Sequence, residues 1–361
     1  MGDVSHRLGA RVAGWLVALV ALAACPAPPR ATSSPEAWWV GRAPAVRALL
    51  ARAADLEGTP AGEAARQLDA VLPDCDVVGA RAAAPDPPLL ILETRCVGPD
   101  DPLAAELRPR DADLAFAATV SASRARADLR LDADALRGEI RWPHPDAAGP
   151  LALLVPGEAP AGPDLLAATG RLAHARVRTR DGIDLAAWLP AQTAGQRLRA
   201  WLVGLLGRVV LDGTWEAAVY PAERPNGLPR LAAALGVRAP RLASAAAERA
   251  LDEAARRFGA RRSALRLDAG EGACLSSLPA LPELAPCYVA TDEALVLGWN
   301  RASLLRALGP ADAGPDVAAR IEVELARLLG AGATSPWRAL RVDGDLEGDV
   351  LEGRVALGLR P

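Results

Sequence analysis

The sequence predicts an α+β fold in which amphipathic helices pack on curved antiparallel sheet, and three observations lead there. Residues 114–142 alternate apolar and polar side chains with a period of two, which is the pattern of a sheet with one dry and one wet face. The last twenty or so residues repeat the device: Leu340, Val342 and Leu346 oppose Arg341, Asp343, Asp345 and Glu347, and beyond Gly348-Asp349 the chain returns with Leu351, Val355, Leu357 and Leu359. Between and before these runs, apolar residues recur at helical spacing.

In chain order, Val46, Leu49, Leu50 and Ala53, then Ala61, Ala64, Leu68, Val71 and Leu72, predict two short helices. Strands are expected at 76–80 and 89–95 around a turn marked by Pro85, Pro87 and Pro88. A meander follows from Leu114, Phe116, Ala118 and Val120 on one strand, Ala125, Ala127, Leu129 and Leu131 on the next, and Leu136, Ile140 and Trp142 on a third. Further helices are expected at 192–206, 242–258, 301–308 (with Asn300 as N-cap) and 317–329. Further strands are expected near 172–178, 209–220, 264–268 and 287–299.

The Pro/Gly-rich stretch 143–163 is the candidate boundary within the α+β body, which spans 37–361; it serves equally as one long loop. Three similar runs, Leu129–Asp134, Leu265–Gly270 and Leu340–Asp345, read as strands ending in turns. They raise the prospect of two related halves, but their uneven spacing favours biased composition over duplication.

The start of the chain has a separate grammar. Arg7 and Arg11 precede an almost wholly apolar run, Val12 to Ala24, that ends in small residues before Cys25. About 13 apolar residues are too few to span a bilayer core, which needs about 20. The tetrapeptide Leu22-Ala23-Ala24-Cys25 resembles the lipobox of bacterial lipoproteins. That resemblance implies a signal peptide over 1–24, an acylated Cys25 as the first mature residue, and a membrane-anchored protein of the cell envelope facing the periplasm or the exterior. Residues 25–36, rich in Pro and Ser, then form a lipid-anchored tether. Trp38 and Trp39 follow it and are expected to pack on the first helix instead of entering the membrane interface.

Composition narrows the chemistry. All 41 basic residues are arginine and the net charge is -3, with arginines interspersed among acids, so no basic stripe invites nucleic acid. Without lysine there is no Schiff base, no P-loop lysine and no Ser-Lys dyad. Cys75, Cys96, Cys274 and Cys287 remain after Cys25, an even number that reads as two disulfides in an exported chain. Three connectivities are open, of which sequence neighbours are the economical one. With no C-x-x-C and only His144 and His174 beyond the signal, zinc-ligand spacing is missing.

The remaining motifs are weak. Asp343 to Asp349 has the alternating acids and sixth-place glycine of a calcium loop, but Arg354 stands where a bidentate glutamate is needed. There is no G-x-S-x-G elbow. His174 shares a face with Leu172 and Arg176 and reads as a packed or surface histidine, while His144 lies between two prolines. Neither a metal nor a cofactor is expected, and the chain reads as no enzyme. The expected role is non-catalytic binding or structure in the envelope, through a protein partner. The alternative is a carrier of an apolar ligand or lipid in a groove between sheet and helices. Leu278, Leu281 and Leu284, in a Pro-rich loop between two cysteines, follow no regular register and are the candidate contact loop.

Overall fold

The computed structural model describes residues 36–55, 60–83, 94–105, 112–120, 123–143, 156–158, 162–179, 207–223, 229–276, 284–311, 317–328 and 337–359. The chain divides into two compact units, one formed by Met1–Leu151 with Val323–Pro361, the other by Ala152–Glu322. The second unit is therefore an insertion in the sequence of the first. One crossing falls inside the stretch 143–163; the other lies far from it.

The first unit holds β1 (Glu36–Arg42), β2 (Val77–Ala83), β3 (Arg95–Cys96), β4 (Leu114–Val120), β5 (Ser123–Leu131), β6 (Ala135–Pro143), β15 (Trp337–Glu347) and β16 (Val350–Leu359), numbered in chain order. Their order across the sheet is β15-β16-β6-β5-β4-β1-β2-β3. Every pairing is antiparallel. Helices α1 (Ala43–Ala54) and α2 (Pro60–Val71) cover part of one face. There Val46 and Leu72 meet Leu114 and Val78, with Trp39, Leu49, Leu50, Leu129 and Leu136 packed around them. On the opposite face Trp38, Val40, Ala115 and Ala117 bury against Val97, Leu103 and Ala104, the last two from the one-turn helix α3 (Pro102–Ala105). The tryptophan pair is thus split by the strand's period of two: Trp39 packs with the first helix, while Trp38 lies on the other side beneath the Arg124 guanidinium, 4.9 Å from the ring centroid. Farther out that face becomes the wet one, carrying exposed Arg130, Arg137, Glu139 and Arg141.

The second unit holds β7 (Ala173–Arg178), β8 (Leu211–Tyr220), β9 (Arg230–Val237), β10 (Arg262–Leu267), β11 (Gly270–Leu275), β12 (Cys287–Ala290), β13 (Ala294–Gly298) and β14 (Ala319–Val323), in the order β10-β11-β12-β13-β9-β8-β7-β14. Helix α4 (Pro240–Phe258) covers one face through Ala243, Ala247 and Leu251, against Ala273, Tyr288 and Leu295. It ends at Gly259, whose φ of 65° is a left-handed cap that glycine adopts without a steric penalty. The other face is closed by α5 (Arg301–Ala307) and by Leu166, over Ala218, Tyr220, Val289 and Val296. Asn300 caps α5, its side chain accepting from the Ser303 N–H at 2.9 Å.

The expected α+β architecture, with helices packed across the sheets, is overturned. Strands take 48% and helices 26% of the described residues, and the architecture is an antiparallel sheet structure with a few helices laid on it. The excess of strand comes from segments that carry no alternation to read. β1 runs from Glu36, the last residue of the expected tether, through the tryptophan pair, β9 is alanine-rich, and β11 begins with Gly270-Glu271-Gly272. Within 317–329 the expected helix is replaced by β14 and the one-turn α6 (Leu325–Leu328). Arg320 and Glu322 alternate there with β-branched Ile321 and Val323, a strand pattern. The expected strand 209–220 starts later, at Leu211, and 287–299 is two strands around a turn. Leu340–Asp345 lies within β15 instead of ending it, so Asp343 and Asp345 stand on a strand and not in a cation-binding loop. The expected helix 192–206, His144, the signal peptide with Cys25, and Leu278 and Leu281 lie outside the described residues.

Two disulfides staple the structure, Cys75–Cys96 and Cys274–Cys287. The first ties the turn just before β2 to β3; the second joins registered partners on β11 and β12. Closing loops of 21 and 13 residues limits the unfolded chain by about 3 kcal/mol each.

Candidate functional site

The densest polar chemistry among the described residues is a buried cluster on β7 and β8. Alternation sends Ala173, Ala175 and Val177 to one face of β7 and His174 and Arg176 to the other, and the register places His174 opposite Ala218 and Arg176 opposite Glu216. Glu216 has no exposed side-chain surface. Charged groups at such depth need partners, and the irregular segment 162–172 supplies them.

His174 Nε2 stands 2.7 Å from Glu216 Oε1. The backbone N–H groups of Leu165 and Leu166 donate to the same carboxylate, at 2.6 and 3.2 Å. Arg171 bridges the two acids, donating to Asp164 Oδ2 at 2.9 Å and to Glu216 Oε1 at 3.3 Å. Arg176 donates to Asp164 Oδ1 at 2.5 Å and to the carbonyl of Pro163. Burial alone would raise the Asp164 pKa, but the hydrogen bond from Arg171, with the charges of His174 and Arg171 and the bond from Arg176, holds it below the ordinary carboxylate value. Burial pushes the Tyr220 hydroxyl above its usual pKa, and that hydroxyl donates to the Ala167 carbonyl at 2.8 Å.

Asp164, His174 and Glu216 place ligand atoms within 4.8 Å of one another, close enough to consider a metal ion. Their chemistry argues otherwise. Both Asp164 oxygens accept from guanidinium groups, and both Glu216 oxygens accept from backbone N–H groups. A divalent cation would have to displace those donors and sit against two arginine charges. The two carboxylates are already met by two guanidiniums and by the His174 ring. The arrangement suits holding a segment of chain, and nothing in it offers an accessible nucleophile.

Of the residues picked out from the sequence, the four cysteines come together as two pairs, and Leu284 is half-buried beside β12. His174 is buried, 4% exposed, with Nδ1 lacking a hydrogen-bond partner among the described residues. Asp164, Arg171, Arg176 and Glu216 were missed. A readable trace existed: Glu216 is the one charge between Thr214 and Tyr220, and it answers the His174/Arg176 alternation of the preceding strand. No family model matches the chain, and neither a curated protein nor a solved structure does.

Proposed function

We propose that this chain is a lipid-anchored cell-envelope protein that acts by binding or as a structural element, not by catalysis. The observation that carries this reading is the pair of disulfides, one in each unit, a build that persists in oxidising compartments outside the cytoplasm. It joins the export grammar before Cys25, where an acyl anchor of more than one chain gives durable membrane attachment. The engagement of the buried polar cluster in structural bonds supports a non-catalytic role. Among the described residues no helix is long and apolar enough to cross a membrane. The partner in this reading is an envelope protein, and the membrane is reached through Cys25. The test is metabolic labelling with a fatty acid: the native protein takes up label and partitions into detergent, and Cys25→Ser does neither. Undiminished labelling of the variant overturns the anchor.

A second reading, a carrier of an apolar ligand or lipid, is favoured by one feature of the first unit. Phe116, 39% exposed, stands in register with Ala127, and Ala127 with Ile140, where α1 and α2 give out. Half-buried Trp142 continues this apolar face. Titrating the protein with a fluorescent fatty acid tests it: saturable binding that Phe116→Ser weakens supports a carrier, and no binding removes it.

A further inference from the structure

The dry face of the first unit's sheet continues beyond its helices. α1 and α2 pack on the rows around Leu114, Leu129 and Leu136. Farther across, on β6, β16 and β15, the same face presents Ile140, Trp142, Leu351, Val355, Val342 and Leu346, of which Leu346 is buried and the others stay half-buried. Between Leu340 and Leu346 and along β16 no charged side chain points to this face, because Arg341, Asp343, Asp345, Glu352 and Arg354 alternate to the other side.

Two registered rows of aliphatic side chains cross β15 and β16, Val342 with Val355 and Leu346 with Leu351, and between them Gly344 stands opposite Gly353. Rows on one face of a strand repeat about every 7 Å, so a row of two glycines leaves a furrow about as wide as one hydrocarbon chain. Glycine inside a strand marks a close approach of some kind. At Gly353 the approach is within the sheet, for a Cβ there would stand 2.7 Å from the Asp343 carbonyl oxygen. Gly344 has no such reason. A Cβ there would meet Leu351 Cδ1 at 3.4 Å and the Glu352 carbonyl oxygen at 3.6 Å, which are ordinary contacts, and its φ lies outside the left-handed region. The bare floor at Gly344 therefore answers to something that lies over the sheet, thin and uncharged.

The row that ends in this furrow begins on β1: Trp39, Phe116, Ala127, Ile140, Gly353 and Gly344 follow one another in register. β1 stands four strands from β16, about 19 Å. Cys25 lies eleven residues before Glu36, where β1 begins, and that length of chain extends to at most about 40 Å. An acyl chain on Cys25 is thus within reach of the furrow, on a strand that opens the same row. We propose that the furrow over Gly344 and Gly353 receives an acyl chain borne by this protein's own Cys25 and shelters it when the molecule is out of the membrane. The site rests on the lipid anchor proposed above, and it is an intramolecular lipid site, distinct from a carrier's.

The test supplies cells producing the full chain with a palmitate analogue that carries a photoreactive diazirine. Label on the Cys25 peptide is measured first, by mass spectrometry; its absence overturns the anchor and this proposal together. The labelled protein is then moved from detergent into dilute detergent-free buffer, irradiated and peptide-mapped, with isotope-labelled protein mixed in to tell links within a molecule from links between molecules. The expected result is a link within one molecule from the Cys25 acyl chain to β15, β16 or β6, lost in Gly344→Leu, whose side chain fills the furrow while its Cβ is accommodated by the sheet. Label on Cys25 with links only between molecules, or only to other parts of the chain, overturns the proposal and leaves the anchor standing. So does an undiminished link in a folded Gly344→Leu. Should that variant fail to fold, the wild-type map decides alone.

Discussion

Arg176 has no exposed side-chain surface, and Asp164 and the Pro163 carbonyl are among the groups that meet its charge there. Breaking one member of a buried pair costs more than the pair contributes, because the survivor stays buried without its counter-charge. Arg176→Met is therefore expected to lower stability by about 3–5 kcal/mol in urea unfolding at neutral pH. Combining it with Asp164→Leu should recover much of the loss. The pH dependence has a defined sign. Because the folded pKa of Asp164 lies below its ordinary value, its contribution is fully present above about pH 4 and is lost as pH falls through the lower folded value. Urea midpoints followed from pH 6 down to pH 2 should fall less steeply in Asp164→Asn than in wild type across that acid window. Part of this cluster was legible: an isolated His and Arg on one face of an apolar strand mark a place that must be satisfied from outside. Asp164 and Arg171 were not legible, because they sit in an irregular segment where no periodicity ties a residue to a neighbour.

At the scale of elements, strands with one wet face could be read and strands without one could not. β5, β6, β15 and β16 announce themselves because Arg, Asp and Glu alternate with Leu, Val and Ile, so each side chain declares its face. β9 reads Arg-Leu-Ala-Ala-Ala-Leu-Gly-Val and is covered over much of both faces, so alternation is erased and alanine supplies no strand preference of its own. β11 is readable only in three dimensions. A Cβ at Gly272 would overlap the backbone carbonyl oxygen of Tyr288 on β12, so glycine there permits the close approach of the two strands. Gly272→Ala should separate β11 from β12 and destabilise by about 2 kcal/mol or more, seen as a lower melting temperature and loss of protection at Ala273 and Val289. The same strands carry Cys274 and Cys287, and replacing both by alanine should lower stability by about 3 kcal/mol, the loop-closure contribution. Asn300→Ala, which removes the side-chain acceptor of the Ser303 N–H, should cost about 1 kcal/mol and fray α5 first.

For the molecule as a whole, the informative fact is where the chain leaves one unit and where it returns. The sequence offered Pro and Gly at 143–163 for the first crossing, but the return between Glu322 and Val323 carries no such punctuation, falling where β14 ends. A discontinuous unit cannot be read from local composition, because what joins β6 to β16 is a pairing across two hundred intervening residues. The inserted unit nonetheless contains what an independent body needs. The buried residues of its two apolar clusters all lie between Leu166 and Ala307, and its disulfide and buried charge cluster fall within 152–322. Expressed alone under oxidising conditions, residues 152–322 should therefore form the Cys274–Cys287 bond, resist proteolysis and unfold in one cooperative urea transition. A fragment that stays unfolded with its thiols oxidised would mean that residues outside 152–322 are needed for the insert to fold.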